Sequence, residues 1–307
     1  MRVLMAGSSG FLGTKLTERL RSDGHEVVRL VRRPARAPDE ISWDPAGGRL
    51  DPAAVSSVDA VVNLAGTPLG MRIGRVQLPI RPWTRKYRRE FDSARIDTTA
   101  TLARAIVAAD PRPSVWLNSS AAGWYGDTGD TEVDETSPGR PDGYLTRNAH
   151  KWETATAPAA EAGVRVVLLR TGFPLHRDGG YLGPQLLAFR LGLGGKVGNG
   201  RQWQPWISLT DWVEAAVFLL HRHDISGPVN MVGPTPVTNA EFTRTLCELL
   251  RRPALMPLPA PLLKVLVGEF GRDAVTSKRL VPGVLNRAGF TFTHPDVRSA
   301  LRAALQD

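Results

Sequence analysis

The chain has 307 residues, 42% hydrophobic and 22% charged, enough to bury a full core in one large or two modest domains. Its 39 Lys and Arg against 30 Asp and Glu leave a net charge of +9, which suits an anionic ligand. The basic residues are spread along the chain without a nucleic-acid-binding motif, so nucleic acid is not an expected partner. A single cysteine excludes an internal disulfide framework, and no apolar run approaches the roughly 18 residues of a membrane span. With a strand expected from residue 2, a cytoplasmic protein without a membrane partner is the expectation.

Val3 to Ala6 reads as a buried strand, and Phe11 to Leu20 has the spacing of an amphipathic helix. Between them lies Gly7-Ser-Ser-Gly10-Phe-Leu-Gly13. A strand, a tight glycine turn and a helix in that order form a phosphate cradle. Gly7 permits the sharp turn, Gly10 lets backbone approach a pyrophosphate, and Gly13 lets the helix pack close. The unpaired N–H groups of the helix start then face the anion. Ser9, Phe11 and Leu12 complete the expected contact surface.

Further strands are expected at Val27–Val31, Ile41–Trp43, Ala60–Leu64, Val115–Asn118 and Val164–Leu169. Helices are expected at about Arg85–Ala109 and Gly143–Ala162. The alternation predicts an α/β fold, a Rossmann-type doubly wound parallel sheet with helices on both faces. Ligands in such sheets bind beyond the carboxyl ends of the strands, which directs attention to Leu64, Ala65, Gly66, Ser119, Ser120, Thr171 and Phe173. The basic cluster Arg81 to Arg89 reads as the solvated face of a helix start. After residue 172 glycines and prolines punctuate the chain, and helices follow at Asp211–His221, Asn239–Leu250, Pro261–Gly268 and Asp296–Leu305. Residues 1–172 are therefore expected to bind the dinucleotide. Residues 173–307 are expected to form a smaller, mostly helical substrate lobe. Cys247 falls in the apolar pattern of one of its helices and is expected to be buried.

Leu30-Val31-Arg32-Arg33 ends the second strand where an acidic residue would receive a ribose 2′-OH. Two guanidinium groups there favour a 2′-phosphate instead, so NADP(H) is expected over NAD(H). Asp44, after the short third strand, is a candidate for the adenine amino group or for an ordinary Asp-Pro turn. No His, Cys or Asp spacing suggests a metal site.

Several segments together resemble one family. They are the glycine turn, Val61-Val-Asn-Leu-Ala-Gly66, Asp92-Ser-Ala-Arg95 with Thr98, Ser119-Ser-Ala-Ala-Gly-Trp-Tyr-Gly126 and Trp152-Glu153. To these add Leu169-Arg-Thr-Gly172, Gly192-Leu-Gly-Gly195, Gln204-Pro-Trp-Ile-Ser208 with Asp211, Gly227-Pro-Val-Asn230, Val281-Pro-Gly-Val-Leu and Gly289-Phe-Thr-Phe. Across almost its whole length the chain resembles an atypical branch of the extended short-chain dehydrogenase/reductases. These are the nucleotide-sugar-epimerase-like, or epimerase-family, proteins that end in a C-terminal domain of unknown function. The resemblance implies an NADP(H) lobe, a substrate lobe, a Ser after the fifth strand and a Tyr-x-x-x-Lys pair on the next helix. Ser120 and Tyr144 fall at those places, but position 148 is Asn and the motif is broken. Asn148 carries no charge to depress a phenol pKa near 10, and Lys151 is too far along the axis to serve both phenol and ribose.

Tyr125 and Trp206 are expected at the substrate, each with a plain core packing role as the alternative. Asp211 is expected to cap the helix that begins at Trp212. Arg170 is expected either to meet an anionic substrate or to pair with a carboxylate beneath the sheet. Lys196 and Arg201 flank a glycine-rich loop and are candidates for contact with a substrate phosphate. The overall expectation is an NADP(H)-dependent oxidoreductase or epimerase-like enzyme, monomeric or homodimeric, that transfers hydride on a small carbonyl, enone or hydroxylated substrate. The alternative is a non-catalytic NADP(H)-binding redox sensor or scaffold.

Overall fold

The computed structural model describes residues 1–67, 71–73, 76–78, 84–253 and 276–306. The elements in order are β1 (Arg2–Ala6), α1 (Phe11–Ser22), β2 (Glu26–Val31), β3 (Glu40–Ser42), α2 (Pro52–Ser56), β4 (Ala60–Asn63), β5 (Met71–Ile73) and β6 (Val76–Leu78). Then come α3 (Arg85–Ser93), α4 (Ile96–Ala108), β7 (Val115–Ala121), a 3-10 turn (Ala122–Tyr125), α5 (Tyr144–Thr154), α6 (Ala157–Glu161) and β8 (Arg165–Thr171). The second part holds β9 (Phe173–His176), β10 (Gly179–Gly180), α7 (Gly183–Arg190), β11 (Trp203–Gln204), β12 (Trp206–Ser208), α8 (Leu209–His221), β13 (Gly227–Met231), β14 (Val237–Thr238) and α9 (Asn239–Leu250). Two helices, here α10 (Gly283–Arg287) and α11 (Val297–Gln306), close the described chain.

Seven parallel strands form the central sheet in the order β13-β8-β7-β4-β1-β2-β3. The chain steps outward from β1 in one direction through β2 and β3, then returns to β4 on the other side. The reversal therefore falls between β1 and β4, and it opens a crevice at their carboxyl ends. Alternation within β1 explains its unbroken apolar run. Val3 and Met5 join the core under α1 and α8, while Leu4 and Ala6 join the opposite core under α4 and α6. A separate apolar cluster gathers Leu175, Leu186, Phe189, Trp206, Phe242, Leu246 and Leu301 from α7, α9, α11 and the small β10-β9-β12 sheet. Cys247 is buried in that cluster as expected.

Several expected elements differ from the structure. The helix expected over Gly143–Ala162 is two helices, because Pro158 has no N–H to continue the ladder and sits instead in the first turn of α6. The helix expected over Arg85–Ala109 also divides, at Ala94 and Arg95. The helical character expected after residue 172 is incomplete. β13 pairs with β8 as the seventh strand, and α8 packs Trp212, Val213, Ala216 and Leu220 under the main sheet. The sheet thus reclaims residues 209–231 from the part assigned to the substrate lobe, since the edge of β8 and the apolar face beneath it both need cover. The helix expected at 261–268 and the first arginine of the basic cluster, Arg81, lie outside the described residues.

The glycine turn is set by backbone contact. Gly7 has φ +81, and a Cβ on it would stand 2.5 Å from the Leu64 carbonyl carbon. A Cβ on Gly13 would stand 2.0 Å from the Gly7 carbonyl oxygen. Gly13→Ala is therefore expected to cost ~1–3 kcal/mol of stability, measured as a lowered urea midpoint at unchanged slope.

Candidate cofactor and active site

The turn after β1 leaves α1 with an open start. Its N-cap is Gly10, no side chain caps it, and no acidic residue stands in its first turn. Gly10 N–H donates to the Gly7 carbonyl at 3.0 Å, which holds the turn, and Ser9 and Gly10 are exposed. Phe11 packs its ring beneath Gly179, where a Cβ would lie 2.5 Å away, and sits 5.9 Å from the His176 ring. Leu12 packs partly buried against the core on the α1 side of the sheet.

Across the crevice, β4 ends in Asn63, which is fully buried. Its amide donates to Asn118 Oδ1 at 2.7 Å and Thr99 Oγ1 at 3.1 Å, and its oxygen accepts from Ala65 N–H at 3.1 Å. That set fixes the course of Leu64, Ala65 and Gly66 directly beside Gly7. The glycine turn and this loop, six tens of residues apart in sequence, thereby form one surface.

The two arginines after β2 separate in role. Arg33 forks onto Glu40 at 2.7 and 2.8 Å, and Glu40 also accepts from Arg36 N–H and lies 3.1 Å from Arg29. Arg32 is exposed and makes no ion pair among the described residues. Of the two, Arg32 is the uncommitted cation. Asp44 is closed into a turn: it accepts from Gly47 N–H at 3.0 Å and from Arg49. It thus takes the turn role that was one of its two expectations.

The Arg33 hydrogen bonds and the Arg36 N–H hold the Glu40 carboxyl down at about 2. A depressed carboxyl contributes stability in full above its ordinary value of 4.5 and loses it as pH falls toward 2. Glu40→Gln is expected to be less stable than the parent at pH 7. The gap should close in urea titrations taken stepwise from about pH 4.5 to about pH 2.

Ser120 is buried and donates to Glu153 Oε1 at 2.5 Å. Glu153 in turn forks onto Arg170 at 2.8 and 2.9 Å. Arg170 donates to the Tyr125 hydroxyl at 3.0 Å, and that hydroxyl donates to Asn230 Oδ1 at 2.8 Å. Burial raises the Tyr125 phenol to about 12. The five side chains tie β7, α5, β8, the 3-10 turn and β13 together beneath the carboxyl edge. Tyr125 is enclosed with its hydroxyl both donating and accepting, and Ser120 is buried with its one hydroxyl proton given to Glu153. Arg170 takes the buried carboxylate pairing that was one of its two expectations. Ser119, one residue earlier in β7, is half-buried on the other side of the strand.

Trp206 is also core rather than cleft, 1% exposed, with its indole N–H given to Thr235 O at 2.9 Å. Thr171 accepts from the Trp212 indole at 3.1 Å, and Phe173 stacks on Tyr181 at 4.3 Å. Both stand partly exposed, Thr171 at the end of β8 and Phe173 at the start of β9. The cap of α8 is Ser208, not Asp211. Asp211 accepts from Ser208 Oγ and from the backbone N–H groups of Thr293 and His294, which anchors the C-terminal segment. Lys196 lines a groove of about 580 Å³ with Arg244, Arg251 and Arg252, which contains no glycine-turn residue. Arg201 is exposed.

Tyr144 opens α5. Its hydroxyl donates to Asp92 Oδ1 at 2.7 Å, and Asn148, one turn on, donates to the same oxygen at 2.7 Å. Burial and the Asp92 carboxylate push the phenol above its ordinary value of 10. This is the reverse of a phenol beside an ammonium: tyrosinate here would face a carboxylate. Lys151 points outward and is exposed. Asp92 was visible in the sequence only as part of a motif. Its role depends on α3 crossing α5, 52 residues away in the chain.

The comparisons with known proteins agree with this architecture. Residues 3–233 match the NAD dependent epimerase/dehydratase family. The chain belongs to that family. Residues 258–304 match a domain of unknown function, DUF1731, which together with the first match marks an atypical extended short-chain dehydrogenase/reductase. Epimerase family protein Mb2239 of Mycobacterium bovis is 41% identical over 300 residues, 97% of this chain and 96% of that protein. The crystal structure of human epimerase family protein SDR39U1 (isoform 2) with NADPH superposes with a TM-score of 0.89 at 34% identity, covering 100% of both chains. A nucleoside-diphosphate sugar epimerase from Corynebacterium glutamicum gives 0.79 at 30% identity, covering 99% of this chain and 58% of that one. Among the described residues no helix is long and apolar enough to cross a membrane.

Proposed function

We propose that this epimerase-family protein binds NADP(H) across the β1–β4 crevice and transfers hydride to or from a small carbonyl, enone or hydroxylated substrate. The observation that carries the cofactor reading is the pairing of an uncapped, acid-free α1 start with the uncommitted Arg32 at the end of β2. A pyrophosphate at the Gly7–Gly13 turn meets free N–H groups, and a 2′-phosphate meets a guanidinium. The NADPH held by the human relative supports the same reading. Ser9, Gly10, Leu64, Ala65, Gly66, Ser119, Thr171 and Phe173 border the proposed cofactor surface.

The proposed chemistry departs from that of a Tyr-x-x-x-Lys enzyme. Tyr144 directs its proton at Asp92, and its hydroxyl also lies 3.2 Å from Arg88 O. Donating that proton to a substrate would create tyrosinate against a carboxylate. Hydride transfer in this site therefore proceeds with a proton from water or from the substrate, as reduction of an activated double bond permits. The same arrangement favours a second reading, a protein that holds NADP(H) without turnover as a redox sensor or scaffold.

Calorimetry is expected to give tight NADPH binding and weaker NADH binding. Arg32→Ala should weaken NADPH by about tenfold, with NADH unchanged. Failure of either nucleotide to bind folded protein overturns the proposal. Consumption of NADPH over a panel of carbonyl and enone compounds separates the two readings: silence throughout, with NADPH retained, selects the sensor. Where turnover is found, Tyr144→Phe should keep it within about tenfold, and the rate should show no phenol ionisation between about pH 7 and pH 10. A loss of about 10³ or more would restore Tyr144 as the proton donor.

A further inference from the structure

Asp92 stands in the last turn of α3, where the helix dipole favours a cation. A carboxylate kept there against local preference has a tertiary reason. Tyr144 and Asn148, one turn apart on α5, both donate to its Oδ1 at 2.7 Å and so fill the lone-pair sites of that oxygen. The second oxygen, Oδ2, accepts no hydrogen bond and makes no ion pair among the described residues, and it is not enclosed. Asp92 itself is partly exposed.

Asn148 repeats the pattern. It is 5% exposed, its amide N–H goes to Asp92, and its own Oδ1 is also unspent and not enclosed. The carboxylate fixes this orientation, because an amide oxygen turned toward Asp92 would be repelled. Buried asparagines elsewhere in the chain spend that oxygen internally. Asn63 accepts from Ala65 N–H, Asn118 from Asn63, Asn230 from Tyr125 and Asn239 from Val197 N–H. Asn148 departs from them. Two open acceptor oxygens therefore lie beside Tyr144, which falls at the place of the family's Tyr-x-x-x-Lys tyrosine.

The surrounding charge decides which donor fits. Arg88 lies 5.5 Å over the Tyr144 ring, and the field of Arg95 reaches both Tyr144 and Asp92. One carboxylate near two guanidinium groups gives an incoming ammonium no net attraction. A neutral hydroxyl meets no such opposition, and its O–H forms a charge-assisted bond to the carboxylate.

We propose that Asp92 Oδ2 and Asn148 Oδ1 are the substrate-reading atoms of the site and accept O–H donors from a small hydroxylated substrate. The inference rests on the hydride-transfer reading for the position of the site. It selects the hydroxylated class among the three named there.

The test uses the full chain, with and without NADPH, in ligand-observed NMR titrations of acetone, hydroxyacetone, dihydroxyacetone and aminoacetone. In the parent the hydroxylated ketones are expected to bind about tenfold or more tighter than acetone, and aminoacetone no tighter than acetone. Asp92→Asn leaves an amide oxygen for Tyr144 and Asn148 and turns an N–H outward where Oδ2 stood. It should bring dihydroxyacetone within about twofold of acetone while NADPH affinity stays within about twofold of the parent. Asn148→Leu removes the other open oxygen and leaves the Tyr144 bond in place. It should weaken dihydroxyacetone by about threefold or more, and it carries the test if Asp92→Asn is poorly folded. Equal binding of acetone and the hydroxylated ketones by the parent, or no binding of any of them, overturns the inference. So does a preference for aminoacetone, or a hydroxyl preference that survives in a folded variant. Should the parent chain bind no NADPH, the function proposed above fails instead, and the titrations without NADPH still judge Asp92.

Discussion

The contact between the Gly7 carbonyl and the bare α-carbon of Gly13 governs the placement of everything that follows. It brings the first turn of α1 against its own preceding strand more closely than any side chain allows. Gly7 at positive φ then presses that turn onto the Leu64–Ala65 backbone. Three glycines and one neighbouring loop thus fix the start of a helix over the point where strand order reverses. A helix start fixed there without a side-chain cap turns its unpaired N–H groups toward the crevice.

Beneath that surface, the polar candidates suggested by the motif are largely taken up by structure. Ser120, Glu153, Arg170, Tyr125 and Asn230 bond to one another in a closed set. Removing one partner would leave a charge or a hydroxyl enclosed and unpaired, which is far costlier than the net value of any bond formed. The set clamps β7, β8 and β13 at the edge where ligands bind, and so keeps the crevice floor rigid. Its members act by holding shape.

The charge pattern around Tyr144 is inverted relative to a phenol–ammonium pair. Burial and the Asp92 carboxylate raise the phenol against the Arg88 guanidinium, 5.5 Å over its ring, while Arg95 belongs to the α3–α4 break and donates to the loop after β4. A phenol raised in this way is poorly suited to act as tyrosinate.

Much of this was legible in the chain itself. Runs such as Val3–Ala6 announce strands buried on both faces, and the Gly7-x-x-Gly10-x-x-Gly13 spacing announces the turn, because each depends only on local sterics and on hydrophobic period. The absence of lysine at position 148 was equally plain. What the sequence left undecided was every pairing between distant segments. Whether Ser120 faces ligand or Glu153, whether Arg32 or Arg33 is free, and whether Tyr125 and Trp206 line a pocket or fill a core all turn on which element packs above them. The partners of Tyr144, and Thr67 against Arg95, come from helices and loops tens of residues away. Only the packed structure brings carboxylate to phenol, since that contact is set by how α3 and α5 cross and not by any local preference.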